Sequence, residues 1–204
     1  MAVTSQSTSP SGNDPVISVR HLAKEFHLGA SLFSKKRDQV VSAVADVSFD
    51  VQRGRTLGIV GESGCGKSTT ARCILRLVEP TSGEIYYRKL SSADQTIEEI
   101  DLAQASESEL RRFRSDLQIV FQDPVASFNP RMTVGASVSE PLVVNTDLTR
   151  DEREGRTQEL LELVGLESGH SQRYPHEFSG GQRQRIGVAR ALALNPSFIV
   201  CDEP

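Results

Sequence analysis

The chain has 204 residues, of which 37% are hydrophobic and 25% are charged, and its formal net charge at pH 7 is -4. This length and composition are typical of one globular domain with a buried core, and they exclude a fibrous or wholly disordered chain. The acidic balance leaves no dominant basic face, so we expect no nucleic acid partner.

The cysteines, the N-terminal residues and the lengths of the apolar runs indicate which cellular compartment to expect. Cys65, Cys73 and Cys201 form no metal-spaced pair, and their odd number gives no closed disulfide framework, which is typical of a cytosolic protein. Residues 1–15 are rich in Ser, Thr, Pro and Gly and predict a disordered tail, with the folded part starting near Val16. No apolar run approaches the roughly 18 residues of a membrane span, so we expect any membrane association to be peripheral.

The first half of the chain predicts strands around one short helix. Alternating apolar and polar residues predict two antiparallel, half-buried strands at VISVRHLAKEF and VVSAVADVSFDV, joined by a loop over about 28–39. TLGIVG, ending at Gly61, predicts a strand that leads through a glycine-rich turn into a helix. The apolar face of that helix consists of Ala71, Ile74, Leu75 and Val78. Further strands are predicted at GEIYY and at LQIVF, which ends at Gln122, with a polar, acidic stretch over about 91–109 between them.

The second half predicts helices before a last strand. Residues from Asp123 to about Phe178 have the pattern of an inserted helical lobe, in which Thr149 and Glu152 are spaced as a capping box and Gly165 is a terminator. A helix is predicted from Gly180 to about Leu194, and FIVCD predicts a strand that returns to a buried sheet.

A phosphate-binding loop is the first functional motif. Gly61, four residues, Gly66, Lys67 and Ser68 stand between a predicted strand and a predicted helix, so backbone N–H groups and the helix N-terminus form a positive concavity for phosphates. Lys67 is placed to reach the β- and γ-phosphates, and the Ser68 hydroxyl to ligate Mg²⁺. An accidental glycine turn is the alternative. The predicted nucleotide-binding residues of this loop are Gly61, Glu62, Ser63, Gly64, Cys65, Gly66, Lys67, Ser68 and Thr69.

Two carboxylates follow the last predicted strand. Asp202 and Glu203 stand at its C-terminal end, where the ligands of α/β sheets gather. We expect Asp202 to hold Mg²⁺ through its hydration shell and Glu203 to polarise the attacking water. An apolar strand that ends in Asp-Glu is common, so this interpretation depends on its pairing with the phosphate loop.

The segment FSGGQ distinguishes this chain from other protein families that have the same phosphate loop. We call residues 178–182 the signature segment and the helix predicted to begin at Gly180 the signature helix. Ser179 is predicted to cap the helix that begins at Gly180, with Gln182 at capping-box spacing, so the positive helix end can meet an anion at short range. The alternative is that Ser179 only caps its own helix. YPHEFSGGQRQRIGVARAL, with Gln122 upstream and the Asp-Glu pair downstream, resembles the ATP-binding subunit of an ATP-binding cassette (ABC) transporter. The resemblance extends from residue 16 to residue 204.

The resemblance implies an α/β fold: a P-loop NTPase core sheet flanked by helices, an N-terminal antiparallel β subdomain and a helical subdomain at about 123–178, within one cassette over 16–204. It implies ATP and Mg²⁺ as ligands, with Gln122 contacting Mg²⁺ and the attacking water. A second cassette would bind head to tail, so that its γ-phosphate faces Ser179, Gly181 and Gln182, with Gly180 as a further nucleotide-binding residue of the same segment.

The resemblance also assigns a position for adenine. Phe26 matches the aromatic residue that the family stacks on the base, and a strand residue pointing into the sheet is the alternative. QDPVASFNPRMTV and RYPHEFSGGQRQRIGVARAL are most similar to the ATPase subunits of oligopeptide and dipeptide importers, a group that includes nickel and glutathione importers.

That subgroup implies ATP hydrolysis coupled to peptide uptake, at the cytoplasmic face of the cell membrane. The implied partners are integral membrane permease subunits, an identical or sister cassette, and indirectly an external peptide-binding protein. These motifs do not specify the transported substrate.

Family members continue past the Asp-Glu pair with a dimer-contact loop, a strand and a switch histidine. Nothing follows Pro204 here, and His21, His27, His170 and His176 all precede the signature helix, so the resemblance implies an incomplete cassette, as a fragment or a truncated chain. Two other hypotheses stay open. One is a remnant that captures Mg-ATP with little turnover, and the other is a soluble cassette ATPase acting on DNA or ribosomes.

Overall fold

The computed structural model describes residues 14–28, 39–91, 96–123 and 127–203. Two compact units make up the chain, the first ending at Leu110 and the second beginning at Arg111. Nearly all of the predicted tail and of the predicted 28–39 loop lies outside the described residues. Within the described ranges, no helix is both long and apolar enough to cross a membrane. The cassette boundaries at 16–204 and the helical subdomain at about 123–178 stay predictions.

An antiparallel sheet with strand order β2-β1-β3-β4 organises the first unit. Its strands are β1 Pro15–Leu28, β2 Gln39–Gln52, β3 Ser82–Leu90 and β4 Ile97–Asp101. Burial alternates along β3, where Ile85 and Tyr87 are fully buried and pair with the fully buried Val19 and Ile17 of β1. In β1 the four consecutive residues 16–19 are all buried. The two N-terminal strands and the GEIYY strand are therefore confirmed. The edge strand β4 was not predicted, because its sequence IEEID is mostly acidic.

Two short helices complete this part of the chain, α1 Lys67–Ile74 and α2 Glu107–Phe113. The predicted apolar face of α1 is confirmed for Ala71 and Ile74, which are buried, and Leu75, also buried, is the residue that caps the helix C-terminus. Val78 lies beyond the helix, because α1 ends at Ile74 and the chain then turns.

The predicted strand at TLGIVG is wrong. Residues 56–61 have no strand assignment, and Leu57, Ile59 and Val60 are 44%, 45% and 92% exposed. A buried strand needs hydrogen-bonded neighbours, and among the described strands none pairs with this segment. Its apolar run is typical of a buried strand but does not supply the partners that such a strand requires.

Helices dominate the second unit: α3 Val134–Asn145, α4 Arg150–Leu163, α5 Gly180–Leu192 and 3₁₀ turns at Ser168–Gln172 and Pro175–Glu177. Its two strands, β5 Leu117–Val120 and β6 Phe198–Cys201, are parallel. The helices share a buried core that includes Val134, Val138, Leu142, Leu160, Leu161, Phe178, Ile186 and Ala189.

The predicted ends of these elements shift slightly. β5 ends at Val120, two residues before Gln122, and α5 ends at Leu192. The predicted burial of the last strand is wrong, because among the described strands β6 pairs only with β5, and its residues are half-buried or exposed.

Both predicted signals of α4 are confirmed. Thr149 N donates to Glu152 Oε2 at 2.7 Å, and Thr149 Oγ1 accepts from Glu152 N, which is a capping box. At the other end Gly165 has a φ of 72°, and Leu166 N donates to Leu161 O at 2.9 Å. A left-handed glycine with this hydrogen bond ends a helix and satisfies its last carbonyls.

Candidate functional site

The phosphate loop turns sharply into α1 through two glycines. Gly64 and Gly66 have φ values of 81° and 95°, in the left-handed region that favours glycine. A Cβ on Gly66 would lie only 2.0 Å from Ala43 O of β2. Glycine at this position therefore allows both the turn and the close approach of the loop to the sheet.

Lys67 spans the loop from the first residue of α1. Its Nζ donates to Gly61 O at 2.9 Å and to Glu62 O at 2.8 Å. Gly66 caps α1 without a side chain, and the first turn of the helix contains no acidic residue. The ammonium and the positive helix end thus face the same small concavity, where an anion is favoured.

A cavity of about 410 Å³ adjoins this loop in the first unit. Its lining is mainly apolar: Ser42, Ala43, Val44, Ala45, Val47, Phe49, Ile59, Val60, Cys65, Gly66, Lys67 and Thr70. Its volume falls in the range of small-molecule sites.

Phe26 is not among the residues that line this cavity. Its cross-strand partner Val41 directly precedes Ser42, a lining residue. The ring is 40% exposed, so the alternative of a core residue pointing into the sheet is wrong. Lys24 Nζ lies 4.9 Å from the ring centroid.

In the second unit, the ends of β5 and β6 bring two predicted site residues together. Val120 pairs with Cys201, and Asp202 N donates to Val120 O at 3.0 Å, so the strands finish side by side. Beyond them, the Gln122 amide Nε2 donates to Glu203 Oε2. Asp202 is buried, whereas Glu203 is exposed. The predicted glutamine and carboxylates share one edge, and sequence alone did not predict the hydrogen bond between two residues 81 positions apart.

The signature segment has the predicted capping box. Ser179 Oγ accepts from Gln182 N at 3.3 Å, and Gln182 Oε1 accepts from Ser179 N at 2.9 Å. A Cβ on Gly180 or Gly181 would meet nothing within 4 Å. Packing within the unit therefore gives no reason for glycine here, although alanine would favour the helix by about 1 kcal/mol per residue.

Side chains from the neighbouring turns and from α5 hold the signature segment in place. Arg183 donates to the carbonyl oxygens of Phe178 and Pro175. The Arg173 guanidinium lies 4.7 Å from the centroid of the Phe178 ring. The His170 ring packs against the Phe178 ring in a T-shaped arrangement, with the two centroids 5.3 Å apart. Sequence reasoning missed these contacts, because no local pattern marks residues that meet only after the 3₁₀ turns form.

Curated relatives share much of this chain. The oligopeptide transport ATP-binding protein OppF of Bacillus subtilis is 53% identical over 165 residues, covering 80% of this chain and 51% of the relative. The glutathione import ATP-binding protein GsiA of Pectobacterium atrosepticum is 47% identical over 198 residues, covering 97% of this chain and 30% of the relative. The chain thus spans about half the length of OppF and less than a third of GsiA.

Solved structures and a family profile agree with this similarity. The ATP-binding cassette MJ0796, in a dimeric post-hydrolysis state bound to ADP and Pi, matches with a TM-score of 0.75 and 30% identity, covering 91% of this chain and 73% of that one. This match confirms the predicted α/β cassette fold. The profile described as ABC transporter matches residues 44–204. The chain therefore belongs to the ABC transporter family.

Proposed function

We propose that this chain binds Mg-ATP on residues 61–69 and hydrolyses it as the ATP-binding subunit of an importer that takes up peptides. The observation that carries the proposal is the loop itself, in which left-handed Gly66 lies against β2 and Lys67 lies across the carbonyls of Gly61 and Glu62. The similarity to OppF, an oligopeptide transport protein, and to GsiA, a glutathione import protein, supports the transport role.

The loop binds the triphosphate by charge and by backbone donors. An ammonium has three N–H donors, so Lys67 can keep a loop carbonyl while it donates to the β- and γ-phosphates. The amides of residues 64–69 and the N-terminus of α1 add partial positive charge. We assign the adenine to Phe26, whose ring is 40% exposed and whose cross-strand partner Val41 directly precedes the lining residue Ser42.

The side-chain chemistry of the predicted ligands, taken residue by residue, suits Mg²⁺ that arrives with the nucleotide. Among the described residues, no group of three or more His, Cys, Asp or Glu could hold a metal by itself. Nucleotide-bound Mg²⁺ does not need such a cage, because phosphates and water fill most of its coordination sphere. The hydroxyl of Ser68, the amide oxygen of Gln122 and the carboxylate of Asp202 supply suitable hard oxygens. When bound, the ion neutralises charge on the phosphates.

Glu203 is the residue we assign to the attacking water. One of its oxygens accepts from the Gln122 amide, which fixes the direction of the carboxylate. A carboxylate held in this way can accept the proton of the attacking water. Gln122 thus acts both through its contact with the nucleotide and by orienting Glu203.

The open N-terminus of α5 supports a second cassette as partner. Gly180 and Gly181 leave room for a phosphate to approach the helix end, and Ser179 and Gln182 fix that end through their capping box. We propose that these residues contact the γ-phosphate held by the partner cassette in a head-to-tail pair. The assembly would then act on permease subunits at the cytoplasmic face of the membrane.

Replacing Glu203 by glutamine tests the catalytic assignment. We expect Glu203→Gln to keep its ATP affinity within about twofold, because it keeps the shape of the side chain, while phosphate release falls at least about 100-fold with loss of the base. Equilibrium binding and phosphate release are measured on the same preparation. Glu162→Gln, which removes an exposed carboxylate from α4, is the matched control and should keep full turnover.

If the unchanged chain releases phosphate well above a protein-free blank and Glu203→Gln releases it equally fast, the assignment is contradicted. If the unchanged chain binds ATP but releases phosphate no faster than the protein-free blank, the alternative of an ATP-binding chain with little turnover is correct instead.

A further inference from the structure

Arg190 connects the signature helix α5 to the segment that carries Gln122. Its Nη1 donates to Ser127 O at 2.8 Å. The same guanidinium lies over the ring of Phe128, with Cζ 5.0 Å from the ring centroid. One side chain of α5 therefore makes two different contacts with two consecutive residues of this segment.

These contacts are strong because they are shielded from water. Phe128 is only 6% exposed and belongs to the core shared by the helices of the second unit. Burial lowers the pKa of the Arg190 guanidinium, and the Glu140 carboxylate of α3 opposes that change. A charged donor in such surroundings makes a stronger hydrogen bond than it does in water, and the ring face adds cation–π attraction.

Gln122 lies between two fixed points of the chain. At one end β5 pairs with β6 as far as Val120. At the other end Ser127 and Phe128 are held by Arg190 and by the helical core. Gln122 and Asp123 are exposed between these points, beyond the last strand pairing. The direction of the Gln122 amide therefore depends on both anchors.

We propose that Arg190 is a positioning residue that holds Ser127 and Phe128 against α5 and so keeps Gln122, five residues before Ser127, directed toward Glu203. The described residues 121–123 and 127–128 are called the glutamine segment below. The role in hydrolysis rests on the proposed function, whereas the anchoring itself does not. Because Ser179 caps the same helix, a nucleotide that displaces the start of α5 also moves the glutamine segment.

Hydrogen exchange followed by mass spectrometry tests the anchor directly. We expect Arg190→Gln, in the full chain without nucleotide, to accelerate amide exchange in a peptide over 119–129 by about tenfold, while α4 keeps its rate. Arg185→Gln is the matched control. Arg185 lies on the same helix and donates to the carbonyls of Val164 and Gly165, so its loss removes the same charge without touching the glutamine segment.

Unchanged exchange over 119–129 in Arg190→Gln would overturn the proposal. So would an equal acceleration over 119–129 in Arg185→Gln, or an equal acceleration of α4 in Arg190→Gln. If Arg190→Gln fails to fold, hydrogen exchange in Arg190→Lys is a second test of the anchor. A single ammonium keeps the charge but cannot contact both Ser127 O and the Phe128 ring, so we expect about threefold acceleration confined to the same peptide. No acceleration in this variant, or acceleration throughout the unit, would also contradict the anchor.

Turnover separates positioning from general stability. Arg190→Gln should lower kcat for ATP hydrolysis by about tenfold with KM within about twofold, because the phosphate loop is unchanged and only the alignment of Gln122 is lost. A rise in KM with unchanged kcat would contradict this role. If the unchanged chain hydrolyses no ATP, the proposed function fails, and the exchange experiment still decides the anchoring.

Discussion

Replacement of Lys67 by alanine is expected to weaken ATP binding at least about 100-fold, since a hydrogen bond from a charged donor contributes roughly 1.5–3 kcal/mol and the proposed function has Lys67 make two such bonds to phosphates. The position of the side chain supports this role. The ammonium lies across the loop mouth, where it donates to Gly61 O and Glu62 O. Equilibrium titration of Mg-ATP, with unfolding followed by circular dichroism, measures affinity and stability separately.

Arg72→Ala is the control for Lys67→Ala. Arg72 is exposed in the last turn of α1, so its loss removes a cation from the same helix without altering the loop. We expect its ATP affinity to stay within about twofold of the unchanged chain, because a solvent-exposed charge more than one helical turn from the phosphates is largely screened. Equal loss of affinity in both variants would show that general charge, and not the position of Lys67, governs binding.

Gly66→Ala is expected to abolish ATP binding and to lower the free energy of unfolding by more than about 2 kcal/mol. Two costs add. A Cβ at a φ of 95° costs about 1–2 kcal/mol. The same atom would lie 2.0 Å from Ala43 O, so the loop has to move away from β2, and such overpacking costs about 1–3 kcal/mol. Urea unfolding and Mg-ATP titration measure the two losses.

Gly64→Ala separates strain from steric overlap. Gly64 also has a positive φ, of 81°, but a Cβ there would meet nothing within 4 Å. We expect this variant to lose only about 1 kcal/mol of stability, from backbone strain alone. Comparable losses in the two alanine variants would mean that contact between the loop and Ala43 has no part in shaping the site.

The local signals of this sequence predict local structure well. The capping boxes at Thr149 and Ser179 and the glycine at Gly165 are all confirmed, because each depends on hydrogen bonds within a few residues of the chain. The antiparallel strands β1 and β2 are confirmed because alternation with one half-buried face is a clear period-two signal.

The wrong predictions concern which segments of the chain pair with each other as β-strands. TLGIVG has the composition of a buried strand, yet a strand exists only with a hydrogen-bonded neighbour, and Val60 is 92% exposed. β4 was missed for the opposite reason, since pairing with β3 orders a segment whose acidic residues hide the pattern. Pairing partners lie far apart in sequence, so local patterns do not encode them.

Residue types and their spacing identified the candidate site residues, but they did not identify the residues that hold the site in place. The loop at 61–69, Gln122 and the Asp202–Glu203 pair follow from motifs that specify chemistry. Ala43 and Arg190 did not stand out, because Ala43 acts through its backbone carbonyl and Arg190 through contacts 62 and 63 residues away. These supports depend on tertiary packing, which no local spacing reveals.

A crystal structure with a nonhydrolysable ATP analogue and Mg²⁺ tests the central claim most directly. We expect β- and γ-phosphate oxygens within hydrogen-bond distance of Lys67 Nζ and of the amides of residues 64–69. An analogue bound elsewhere, while Lys67 donates only to the carbonyls of Gly61 and Glu62, would contradict the claim.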